Sequence, residues 1–254
     1  MNNYIIPNLS KACRMLSCIA ASDKGMTAAQ IEQTLAVPKT TAFRILRTLC
    51  HEGMVTKNGG TYHVGPTLLE LSGRAISSVN VRDQAVPVIQ ELAQTTGQTA
   101  HLAIPSGTSS LILEVCDSPN PVRVASRPGT LVSMHCSSTG KVFLAYLFKD
   151  RLAQTLADVK LEHRTANTKC TVADLQAETE KIRQLGYATD DEEYHTGVRC
   201  LAAPVFDGRN QVVAALGITA TTSSFTPERT QELAALVVGA ANKLSKKLGH
   251  NNNI

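Results

Sequence analysis

The sequence predicts two domains: a small, basic helical domain closed by a β-hairpin, then a larger α+β domain around a central antiparallel sheet. Three observations carry this. Apolar residues recur at helical spacing early in the chain, and later in short runs of strand length bracketed by helical segments. Asn58-Gly59-Gly60 separates two short β-prone runs directly after a helical segment and can supply the positive φ angles of a tight hairpin. Charge is uneven, with eight basic and four acidic side chains in residues 1–75 but 17 of each in the remaining 179.

Leu9, Ala12, Cys13, Leu16 and Ala20 put an apolar stripe on a first helix over Leu9–Ala21, which Asp23-Lys24-Gly25 ends. Thr27 followed three residues later by Gln30 has the form of a capping box and starts a short helix through Leu35. Pro38, tolerated in a first turn, opens a third helix that runs to about Glu52, where Gly53 is the stop. Strands Met54–Lys57 and Thr61–Val64 follow. Helix, helix, tight turn, helix, hairpin is the order of a winged helix-turn-helix, here assigned to residues 1–65.

A linker helix is expected over residues 66–80, with its helical pattern in Pro66–Ser77. The second domain, 81–249, starts with a helix over Val81–Thr96 and strands at Thr99–Ile104, Ser109–Cys116 and Val122–Ser126. Helices at Thr139–Phe148, Lys149–Leu156 and Val172–Leu185 come next. Strands at Ala188–Glu193, Cys200–Phe206 and Val212–Thr219 precede a closing helix, Pro227–Leu248. Strand groups bracketed by helices give an α+β domain. Residues 250–254 read as a disordered polar tail.

Composition removes several function classes. Hydrophobic residues at 43% and charged residues at 18% describe a globular chain, while 4% aromatics without Trp disfavour a stacking platform for single-stranded nucleic acid. Seven dispersed cysteines with no C-x-x-C pair argue against a disulfide framework or zinc-finger spacing and fit a reducing cytoplasm. No apolar run reaches the ~20 residues that span a bilayer, and the N-terminus lacks the order of a signal peptide, so no membrane partner is expected. No cofactor is implied.

In the third helix Ala42, Ile45, Leu46 and Leu49 fall on one face, leaving Lys39, Thr40, Phe43, Arg44 and Arg47 on the other. Arg can donate two hydrogen bonds to a guanine edge, and Phe43 can meet a thymine methyl group. Lys39 and Thr40 stand at the end of the helix that enters a major groove, and Lys57 in the wing is placed to meet a phosphate. Most helix surfaces are simply solvated. An exposed Phe and a hairpin at wing spacing favour a double-stranded DNA partner instead.

In the second domain, alternation puts Cys200, Ala202 and Pro204 on one strand face, and Ala215, Gly217 and Thr219 on one face of a later strand. Such a small, partly polar face either leaves space for a ligand or packs closely against a helix. Ser137-Ser138-Thr139 opens a helix whose free N–H groups favour an anion such as a carboxylate. Plain N-capping by a hydroxyl accounts for the same residues.

At several places the sequence resembles the IclR family of bacterial transcriptional regulators. Val37 to Leu49 is similar to its recognition helix, and Tyr62-His63-Val64-Gly65 to the exit from its wing. Met134 to Lys141 resembles its loop-and-helix block, and Asp190 to Val205 its signature ahead of a core strand. The resemblance implies a homodimer, often paired into a tetramer, that binds a palindromic operator. It further implies a GAF-like (profilin-like) effector domain that takes a small organic acid or aromatic acid. Carried over by position, the effector contacts fall on Val124, Ser138, Thr139, Asp190, Cys200, Gly217 and Thr219. Ser138 and Thr139 replace smaller residues common in the family, and Gly217 replaces a frequent Ser, which removes a donor and is expected to add room.

Rival readings have thinner support. Cys200, His195 and Asp190 could compose a nucleophile, base and orienter. However, His195 sits in a loop-like stretch and nothing marks Cys200 as a thiolate, so no catalytic residue is assigned. The run Asp190–Glu193 with His101, His135 and Cys170 could bind a metal, yet no ligand pair has helical i, i+4 spacing and none is assigned. A ligand-free architectural DNA-binding protein is the remaining alternative.

Overall fold

A computed structural model describes residues 4–71 and 80–250. The chain divides into two compact units, Met1–Val79 and Asn80–Ile254.

The first unit contains α1 (Pro7–Ala20), β1 (Met26–Thr27), α2 (Ala28–Leu35), α3 (Lys39–His51), β2 (Val55–Asn58) and β3 (Thr61–Val64). The capping box forms, with Thr27 Oγ1 accepting from the Gln30 N–H at 3.3 Å and Gln30 Oε1 accepting from the Thr27 N–H at 2.8 Å. Ala36, in the left-handed region at φ 49°, ends α2, and Pro38 stands at the N-cap of α3. The wing turns through Gly59 and Gly60 at φ 54° and 92°. β1 pairs with β3 to complete a three-stranded sheet in the order β1-β3-β2. Two residues are too few to show alternation, so this strand is silent in the sequence.

The face of α1 differs from expectation. Met15 and Ile19 are its buried residues, with Ala12 and Leu16 beside them, while Leu9 and Cys13 are exposed. Two overlapping apolar series run along this helix, and the one with the larger side chains takes the core. Ile31, Ala42, Leu46, Val55 and Tyr62 complete that core. Residues 66–71 are helical (α4). Residues 72–79 of the expected linker helix lie outside the described residues, and Asn80 already belongs to the next helix.

The second unit starts with α5 (Asn80–Thr96), β4 (Thr99–Ser106), β5 (Ser109–Cys116) and β6 (Leu131–Ser133). Then come α6 (Ser138–Leu147), α7 (Leu152–Leu156) after a 3₁₀ turn, and α8 (Val172–Leu185). β7 (Ala188–Asp191), β8 (Val198–Phe206), β9 (Val212–Thr221) and α9 (Thr230–Lys247) close it. The six strands form one antiparallel sheet in the order β6-β5-β4-β9-β8-β7. Ala103, Ala202 and Ala215 share a core with side chains of α6, α7 and α8. Residues of opposite parity, such as Leu201, Ala203, Leu216 and Ile218, are also buried, on the side where α5 and α9 pack.

Two expectations are corrected here. The stretch Val122–Ser126 is not a strand; the third strand is Leu131–Ser133, paired with β5. The stretch around Val124 is held instead by a side chain, because Thr99 Oγ1 donates to the Val124 carbonyl at 3.0 Å. His250 is not a free tail residue: its ring stacks on Phe206 at 5.1 Å and its N–H donates to the Ser245 carbonyl. Residues 251–254 lie outside the described residues.

Gly65 permits the chain crossing after the wing. A Cβ there would lie 2.1 Å from the Gly53 carbonyl oxygen and 2.7 Å from the Val55 nitrogen. Gly65→Ala is therefore expected to cost roughly 1–3 kcal/mol or more through overpacking. At Gly59 a Cβ meets nothing, so Gly59→Ala should lose only about 1 kcal/mol for its positive φ. Urea unfolding followed by circular dichroism orders the two variants.

Candidate DNA interface and ligand cavity

On α3 the four predicted core residues are buried, and Lys39, Thr40, Phe43, Arg44 and Arg47 are all exposed. Phe43 keeps 55% of its surface in solvent. α3 carries no acidic residue, so nothing on the helix itself neutralises the two guanidinium groups. In the wing Lys57 is exposed and is the cross-strand partner of Tyr62, with its ammonium 5.4 Å from the ring centre. That contact holds a charged group at the hairpin without burying it. A helix with apolar and donor groups on its exposed face, followed by a hairpin carrying an exposed lysine, can enter a groove and touch the flanking backbone.

In the second unit a cavity of about 320 Å³ opens between the sheet and the start of α6. That volume falls within the range of small-ligand sites. Val124, Ser138, Thr139, Asp190, Cys200 and Thr219 line it. Asp190, Cys200, Thr219 and Thr99 are successive cross-strand partners across β7, β8, β9 and β4, so they stand in one row on one face. Thr219 Oγ1 donates to Cys200 Sγ at 3.4 Å. The small-residue face thus does both jobs left open by the sequence: its Cys200–Thr219 end borders the cavity, and its Ala202–Ala215 end packs under α6.

Gly217 is not among the lining residues. A Cβ there would meet the Leu201 carbonyl oxygen at 2.4 Å and Ala202 Cβ at 3.0 Å. The glycine lets neighbouring strands approach, and the expectation that it adds room for a ligand is corrected.

The start of α6 also combines two roles. Ser137 is the N-cap, its Oγ accepting from the Gly140 N–H at 3.2 Å and donating to the Ser133 carbonyl at 2.7 Å. Thr139 Oγ1 accepts from Ser110 Oγ at 2.9 Å. The amides of Ser138 and Thr139 are then the orphan donors of the helix start, with no partner among the described residues. Gly140 lets this start press on the preceding loop, since a Cβ there would lie 2.3 Å from Met134 Cα.

Asp190 is buried at 1% exposure, and its Oδ1 accepts from the Glu193 and Tyr194 N–H groups at 2.8 and 3.2 Å. Burial pushes its pKa up to about 6, against those two hydrogen bonds. Beneath it lies an ion cluster. Lys141 is fully buried, 2.5 Å from Glu193 and 3.0 Å from Glu178, and Lys169 reaches Glu193 at 3.1 Å. Burial opposes the Lys141 charge, yet the two carboxylates hold its pKa above the ordinary value.

His101, weighed in the sequence only as a metal ligand, and Arg127 and Tyr194, not singled out there, also line the cavity. His101 is on β4 directly opposite Gly217, and burial lowers its pKa to about 4. Arg127 is exposed and brings a positive charge to the cavity. Pairing of β4 with β9 brings His101 there, while Arg127 and Tyr194 reach the cavity from loops, so parity within one strand reveals none of the three.

Neither rival chemistry gains support from the geometry. Burial, then the nearby Asp190 charge, raises the Cys200 thiol well above its ordinary pKa, and His195 packs edge-on against Tyr194. The acidic run is split among separate partners: Asp191 pairs with Arg199 at 2.5 Å, and Glu192 accepts from the Gly197 N–H at 2.7 Å. Among the described residues, no group of three or more His, Cys, Asp or Glu side chains is placed to hold a metal. No helix there is long and apolar enough to cross a membrane.

Comparison with known proteins decides the family. Residues 73–246 match the model of the bacterial transcriptional regulator IclR C-terminal domain, and residues 8–59 match that of the IclR helix-turn-helix domain. The chain belongs to the IclR family. It is a transcriptional regulator with a helix-turn-helix DNA-binding domain and a C-terminal IclR effector domain. It is 32% identical over 239 residues to the HTH-type transcriptional regulator BhcR of Paracoccus denitrificans, covering 93% of this chain and 85% of that one. An IclR regulator from a Silicibacter species superposes with a TM-score of 0.84 at 25% identity, covering 96% of this chain and 97% of its own. An IclR homologue from Microbacterium hydrocarbonoxydans, solved with 4-hydroxybenzoate, shares the fold at TM-score 0.79 and 20% identity, covering 95% and 98%.

The raised Asp190 pKa predicts a pH signature. An unfolded Asp titrates near 3.9, so the folded state holds this proton more tightly. The stabilisation is complete below that value and is lost as pH rises through about 6. Asp190→Asn retains an acceptor for both backbone N–H groups and removes the titration. Its stability relative to wild type should rise by on the order of 2 kcal/mol between pH 4 and 7.5, measured by urea unfolding without ligand.

Proposed function

We propose that α3 reads operator DNA and that a small carboxylate in the second unit's cavity sets the affinity for it. The observation that carries the effector half is the pair of unpartnered α6 amides, Ser138 and Thr139, in the wall of a cavity floored by Asp190 and Thr219. Orphan N–H groups at the positive end of a helix favour an anion, and Arg127 adds charge. Asp190 or Thr219 bonds a hydroxyl or carbonyl elsewhere on the ligand, with Val124 as an apolar wall. The Microbacterium relative was solved with 4-hydroxybenzoate, which is a small carboxylate.

On DNA, Arg44 and Arg47 recognise base edges, Phe43 touches a thymine methyl, and Lys39 and Thr40 enter with the helix start. Lys57 meets a phosphate. The protein acts in the cytoplasm as a dimer or tetramer, with recognition helices about 34 Å apart on a palindromic site. An effector changes DNA affinity only through its differential affinity for two arrangements of the protein.

Two experiments test the two halves. Sequencing the genomic fragments that the protein retains supplies an operator, on which Arg44→Ala should relax base preference. Lys57→Ala should weaken all sequences alike and reduce the salt slope by about 1. Identical behaviour of the two variants contradicts these roles.

Calorimetry then compares butanoate with 3-hydroxybutanoate and benzoate with 4-hydroxybenzoate. At least one acid should bind the wild type and bind Asp190→Ala more weakly. Unchanged affinity removes Asp190 from the site.

A further inference from the structure

His101 is the unexplained group of the cavity. It lines the wall at 4% exposure, and its Nδ1 is buried without a hydrogen-bond partner. No partner exists for the other ring nitrogen among the described residues either. Buried polar atoms are nearly always paired, so an orphaned imidazole in a cavity wall needs an account.

The local structure keeps it unpaired. The cross-strand neighbours of His101 are Gly217 on β9 and Val115 on β5, which carry no polar side-chain atom. β8 fixes the glycine in place, because any Cβ at 217 collides with the Leu201 carbonyl. Water and a bound ligand are the remaining sources of a partner.

We propose that His101 is a specificity determinant that pairs with a hydroxyl group of the effector, so that the cavity selects a hydroxylated carboxylate over its deoxy counterpart. The inference rests on the carboxylate site at the start of α6. Burial keeps the imidazole neutral above about pH 4, so it offers one donor and one acceptor. A hydroxyl both donates and accepts, and therefore pairs with either ring nitrogen in either tautomer. A second carboxylate only accepts and would find no charge on this ring.

The test uses the full-length protein and the same two pairs of acids. Wild type should bind at least one hydroxylated acid about tenfold more tightly than its partner. His101→Val should erase that margin by weakening only the hydroxylated acid, and His101→Asn should keep part of it. Equal loss for both acids, or a margin that survives in His101→Val, overturns the inference and leaves the carboxylate site standing. If no acid binds the wild type, the carboxylate site falls and this inference with it. A second readout needs no variant: the ¹⁵N resonances of the His101 ring in the wild type should move with the hydroxylated acid alone. Resonances that move equally with both acids, or with neither, overturn the inference.

Discussion

The second unit depends on one constraint, the register of β8 against β9. Pairing Cys200 with Thr219, Ala202 with Gly217 and Pro204 with Ala215 puts the small residues Cys200, Ala202, Ala215, Gly217 and Thr219 on one face of the sheet. A slip of one strand by one residue would turn its larger side chains onto that face, Leu201 from β8 or Leu216 and Ile218 from β9, and close it. With the observed register, α6 packs tightly at the alanine end and leaves a cavity at the polar end. The glycine matters to both ends. It lets the strands approach closely, and it leaves His101 without a polar neighbour.

The loop over this floor is held from beneath by charge. Lys141 sits inside the protein between Glu193 and Glu178, and the Glu193 backbone donates to Asp190 in the cavity wall. Removing one member of such a cluster leaves an uncompensated buried charge, which costs roughly 3–5 kcal/mol. The acidic run is divided among separate partners. One of its carboxylates anchors a helix, another turns the backbone at the cavity, and the others tie down the loop.

Local patterns in the sequence revealed most of the elements. The capping box at Thr27, the glycine turn at 59–60 and the apolar face of α3 each follow from neighbours within a few residues, and each occurs in the structure. What failed was nonlocal or ambiguous. The two-residue β1 is defined only by its pairing with Thr61 and Tyr62 of β3, and the stretch at Val124 is anchored by a hydroxyl 25 residues away. On α1 two apolar series competed, and spacing alone could not rank Met15 above Cys13. Parity grouped the cavity residues of β8 and β9, but His101 joined them only through pairing of β4 with β9.

The two units divide the chemistry in a way that explains the charge distribution. A DNA-reading unit needs uncompensated cations on its surface, and the excess of basic residues lies within residues 1–75. The other unit carries its charges in balanced, largely paired form, and on the proposed function its cavity takes an anion through helix amides and one exposed arginine instead of a basic surface. That separation is useful to a regulator. A strongly cationic effector unit would attract DNA phosphates at any sequence and add salt-dependent, nonspecific affinity. On the proposed function, a near-neutral one leaves specificity to α3 and reserves its own polar groups for the ligand beside His101 and Asp190.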